Sequence, residues 1–158
     1  MAYTLISEQV LASAAASVTF SSIPQTYTDL MLEILTKATT AGGAFNPNIQ
    51  FNGDTATNYS WTRVYGNGTS ALSSRGSTQP GILLGDSMTT SFSTVYASVP
   101  GYSNTSIYKT VLSRGSATES SASAWVGTWR STAAITSIAV LANGAYDVGT
   151  TMRLWGIK

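Results

Sequence analysis

At 158 residues the chain has the length of one domain with its own core, and its net charge of +1 rests on only eight cations and seven carboxylates. Cysteine and histidine are absent, which excludes disulfides, thiolate or imidazole metal sites, His-based triads and histidine pH switches. Serine and threonine make up 46 residues beside 43% hydrophobic content, a balance unlike a disordered chain, and the scattered cations give no nucleic-acid footprint.

Tyr3 to Ile6 begins extended. Ser7 to Ala16 reads either as a helical turn capped by Ser7 or as part of a continuous strand bulged near the alanines; the alternation of Val18 and Phe20 with Ser17, Thr19 and Ser21 favours the second. Ile23-Pro24 then makes a turn, because proline fixes its own φ and keeps its predecessor extended. Leu30, Leu32 and Ile34 alternate with Met31, Glu33 and Leu35 in the clearest strand of the chain. Its residues tolerate a helix, but about eight positions between a Pro turn and the Gly42-Gly43 loop suit a strand.

Ile49 and Phe51 form a short strand ended by Asn52-Gly53-Asp54. Tyr59, Trp61, Arg63 and Tyr65 share one face of the next, which stops at Gly66-Asn67-Gly68. Weak strands follow at Ala71 to Arg75 and Gly81 to Gly85, then clearer ones at Phe92 to Ala97, Ile107 to Arg114 and Ala122 to Arg130. Ala134 to Leu141 reads as a buried strand turned by Asn143-Gly144, and Thr150 to Ile157 closes the series. About ten short strands with turns every 8 to 15 residues predict one all-β domain over 1–158, an antiparallel sandwich or barrel. No run of 18 apolar residues occurs, so no membrane span is expected; the first residues lack a basic region before an apolar core, so no secretory leader is expected.

Most carboxylates sit beside turn residues, as in Asn52-Gly53-Asp54 and Tyr146-Asp147-Val148-Gly149, where Asx-turn chemistry accounts for them. No calcium-loop spacing is present, and Tyr65-Gly66-Asn67-Gly68 lacks the lysine and helix of a phosphate loop. No catalytic residue, cofactor or metal site is expected. Tyr59, Trp61 and Tyr65 form either a sugar-stacking platform, with a host glycan as partner, or the inner layer of a sandwich. Tyr102 and Tyr108 flank the loop Ser103 to Ser106 and are the expected partner-contacting side chains.

Four blocks, Ile23 to Leu30, Phe51 to Tyr59 with Tyr65 to Gly68, Trp129 to Ile138 and Leu154 to Lys158, resemble in this order a family of small virion proteins of tailed bacteriophages. Relatives often carry Ser before Thr in the last block and Tyr where Trp155 stands, whereas this chain has Gly149-Thr150-Thr151 and Trp155. The resemblance implies a jelly-roll-like β-sandwich on the virion surface, made in the host cytoplasm. It also implies work as a head decoration (cement) subunit or within a tail or fibre, and commonly a homotrimer. The expected partners are then the major capsid protein and further copies of the chain, with neither nucleic acid nor membrane. Catalytic residues are not part of what the resemblance carries.

Overall fold

Side chains of a strand alternate between two faces, so an apolar residue at every second position commits a segment to a sheet with one dry side. Among the described residues, which are 2–40, 46–86, 89–117 and 121–158 of this computed structural model, the central strands follow this pattern, and twelve strands form in all. They are β1 (Tyr3–Val10), β2 (Ala15–Phe20), β3 (Asp29–Thr36), β4 (Asn48–Phe51), β5 (Tyr59–Gly66) and β6 (Ala71–Gln79). The second half adds β7 (Ile82–Leu83), β8 (Ser93–Pro100), β9 (Lys109–Ala117), β10 (Ser121–Trp129), β11 (Ile138–Tyr146) and β12 (Thr151–Ile157). No helix occurs among the described residues, and the expected Gly42-Gly43 loop lies outside them.

Every pairing is antiparallel. The strands form an eight-stranded sheet, β1-β12-β3-β8-β9-β10-β5-β6, and a four-stranded sheet, β2-β11-β4-β7. Setting aside the hairpins β5–β6 and β9–β10 leaves four strands in each sheet, β1-β12-β3-β8 over β2-β11-β4-β7. That is jelly-roll winding: the chain crosses between the sheets in two interleaved Greek keys. The two hairpins prolong the large sheet beyond β8 into a wing that the small sheet covers only at its base.

Between the sheets lies the core. Leu30, Leu32, Ile34, Val95, Ala97, Val99, Met152 and Leu154 face Val18, Phe20, Ile49, Phe51, Ile138 and Val140, all buried. Each of these side chains larger than alanine stabilises the fold by about 1.5–3 kcal/mol relative to exposure. At the base of the wing β7 packs against β10 and β5. A Cβ added at Gly127 on β10 would stand 2.2 Å from Ile82 Cγ2, so only glycine lets β7 sit this close.

Two expectations are corrected. The stretch from Tyr3 to Phe20 is not one strand bulged at the alanines. Gly149 N–H donates to Leu11 O, Leu11 N–H donates to Thr150 O, and the chain then crosses to pair β2 with β11 in the other sheet. The register shift sits earlier, between Leu5 and Ser7 within β1. Asn143-Gly144 is not a hairpin turn either: it lies inside β11, where pairing with β2 slips between Leu141 and Tyr146. The reversal falls at Asp147–Thr150, where Gly149 takes a φ of 84° and Thr150 N–H donates to Asp147 O.

Candidate functional site

The three aromatic rings of β5 do share one face, as their spacing requires, but that face looks inward. Tyr59 is fully buried; its ring stacks on Trp129 at 6.2 Å and 14°, and Phe51 lies against both. Its hydroxyl accepts from Phe51 N–H at 3.0 Å and donates to Asp54 O at 2.9 Å, while burial pushes its pKa up to about 12. Trp61 is half-buried edge-on against Trp125, with centroids 5.2 Å apart. Tyr65 is half-buried, and the Arg63 guanidinium lies 4.1 Å from its ring. The platform alternative is thereby corrected in favour of the other reading, the inner layer of a sandwich: Tyr59 is buried against Phe51 of the small sheet and Trp61 packs edge-on against Trp125.

Tyr102 is corrected likewise. Gly101, with φ 58°, turns the chain so that the Tyr102 ring enters the core at zero exposure, its hydroxyl donating to Pro24 O. Ile135 N–H donates to Tyr102 O from the opposite segment. Tyr108 is 56% exposed beside Ile107 at 50%, so the loop presents this pair and hides Tyr102. Lys109 anchors the same loop: fully buried, its ammonium donates to Ile107 O at 2.9 Å and Thr132 O at 3.1 Å. Burial lowers its pKa. Tyr102→Phe is expected to cost about 1 kcal/mol in chemical denaturation because Pro24 O loses its donor. Tyr108→Ala should stay within about 0.5 kcal/mol. Equal losses for the two would contradict this division.

Every described carboxylate is engaged close to its own strand or turn. Asp54 accepts from Asn58, Trp129 Nε1 and Ala56 N–H, and the first two hold its carboxyl below the usual range. Asp86 meets Arg63 at 2.5 Å and accepts from Ser121 Oγ, Asp147 pairs with Lys37 at 3.1 Å, and Asp29 accepts from Gly101 N–H. Glu8 and Glu33 are bridged by Arg153, at 2.9 and 3.6 Å. Among the described residues no group of three acidic side chains converges.

The feature that the sequence reading missed is the outward face of the large sheet. Cross-strand register aligns Trp155, Met31, Ser98, Leu112, Val126 and Thr62 in one row, and Arg153, Glu33, Tyr96, Arg114, Ala124 and Val64 in the next. Tyr96 (39%), Leu112 (46%), Val126 (48%) and Val64 (59%) remain open. A groove of about 420 Å³ runs between Met31, Tyr96, Leu112, Arg114 and Val126. The signal was present in the sequence as apolar residues at the wrong parity of β8, β9 and β10.

No family model matches the chain, and no curated protein matches it in sequence.

Proposed function

We propose that the chain is a non-enzymatic structural protein of a tailed-bacteriophage virion, a capsid decoration (cement) subunit that associates with further copies of itself and braces neighbouring major capsid proteins. The observation that carries this reading is the open sheet face with Tyr96, Leu112, Val126 and Arg114, set on a rigid β body. Tyrosine and arginine beside exposed aliphatics are the composition of protein interfaces, and a rigid subunit held at several points gains avidity without strong single contacts. The described carboxylates serve turns and ion pairs, which favours a role in holding neighbours. The exposed Ile107–Tyr108 tip is the second contact surface of this reading and the one assigned to the capsid.

Recognition of a host glycan by a tail fibre is the alternative. It loses Tyr59 to the core and Trp61 to packing on Trp125, which leaves Tyr65 alone. Antibody against the chain, imaged on whole virions, is expected to label the head. Label confined to the tail would support the fibre instead and remove the cement reading.

A further inference from the structure

We propose that the outward face of the eight-stranded sheet is covered by a second copy of this chain, turned end for end, so that the basic half of one face meets the acidic half of the next. This rests on the reading of the chain as a self-associating subunit and names the surface that would do it.

Three observations point to a second copy. The first is size. Eight strands about 4.8 Å apart and about eight residues long span roughly 900 Å². A standard protein interface needs roughly 800 Å² per partner. The second is character. Leu5, Leu35, Tyr96, Leu112, Val126 and Val64 are all more than a third exposed on this one face. An open apolar surface of this breadth on a single domain marks a place where something docks.

The third is charge, and it selects the occupant. On the β1-β12-β3 half, Glu8 and Glu33 share the cation Arg153 and Asp29 stands on the same face, leaving two excess negative charges. On the β9-to-β6 half stand Arg114 and Arg75, both exposed and neither in an ion pair among the described residues. Register places Glu33, Tyr96 and Arg114 in one row across β3, β8 and β9. The β1-to-β3 side of the face thus carries net negative charge and the β9-to-β6 half net positive charge, with exposed apolar residues along both. A copy of the same face, reversed, supplies the opposite sign to each half and lays apolar residues on apolar residues.

The test is a charge swap on the full chain, read by sedimentation velocity with circular dichroism confirming the fold of every variant. Wild type is expected to run as an oligomer. Arg114→Glu should weaken association about tenfold or more, and the double variant Arg114→Glu, Glu33→Arg should restore it. Val126→Arg, which touches no ion pair, serves as the second disrupting variant should Glu33→Arg fail to fold. A wild-type monomer at the highest attainable concentration overturns the proposal, and so does an oligomer whose mass survives both Arg114→Glu and Val126→Arg. A monomer that associates only with added heads assigns the face to the capsid and overturns it too. Disruption of a two-copy species upholds this face, whereas a trimer overturns it, because a face that meets its own reversed copy closes after two. Association as proposed with no binding to heads removes the virion reading alone.

Discussion

Replacing Trp129 with alanine is expected to lower the unfolding free energy by about 3–5 kcal/mol. The indole is 2% exposed, stacks on Tyr59 and lies 5.5 Å from the Phe51 ring. Its Nε1–H donates to Asp54 Oδ2 at 2.7 Å, so the same side chain that fills the base of the wing also fixes the β4–β5 turn. Alanine empties the space between three rings and removes a donor from Asp54. Against a typical total stability of about 5–15 kcal/mol, such a loss is severe. For a domain of this length it lowers the melting temperature by roughly 6–20 °C. Chemical denaturation measures it directly. A loss below about 1.5 kcal/mol would mean that the wing is not packed on the small sheet through this cluster.

Alkali should unfold the protein through its buried phenols. Burial raises the Tyr59 pKa to about 12 and raises that of Tyr146 as well, whose hydroxyl donates to Leu141 O at 2.8 Å. In the unfolded chain both ionise near pH 10. A folded pKa above the unfolded one means that this stabilisation is complete below pH 10 and is lost as pH rises towards the folded value. Two units at Tyr59 amount to about 2–3 kcal/mol, with Tyr146 adding in the same sense. Lys109 works oppositely: its lowered pKa makes the folded state more favourable as pH approaches 10.5, which delays the fall. Part of the tyrosinate absorbance should therefore appear only together with loss of the β-sheet circular dichroism signal. Full tyrosinate absorbance with the fold intact would contradict the burial of these rings.

Sequence and structure agree where one face of a strand is dry. Leu30, Leu32 and Ile34 on β3, and Trp125 and Trp129 on β10, announce their strands because burial of one face demands period two. β6 was legible only to Arg75, since its Ser, Gly and Thr residues at the sheet edge carry no alternation, although it continues to Gln79. The division of β1 from β2 was not legible, because the backbone contacts of Leu11 with Gly149 and Thr150 link positions far apart in the chain. Tyr102 illustrates the same limit at a single residue. A tyrosine in a Gly-Tyr-Ser-Asn loop reads as surface, and only the approach of Pro24 and Ile135 makes it core. The outward sheet face needed the full strand order, since its rows join residues from β12 to β5.

The central proposal is that this chain braces neighbouring capsid subunits. Heat release of packaged DNA from heads stripped of the chain, before and after it is added back, tests this most directly. The account predicts release at a lower temperature without the chain and recovery on re-addition, with Tyr108→Ala recovering less than wild type. Identical release temperatures in all three cases would contradict it.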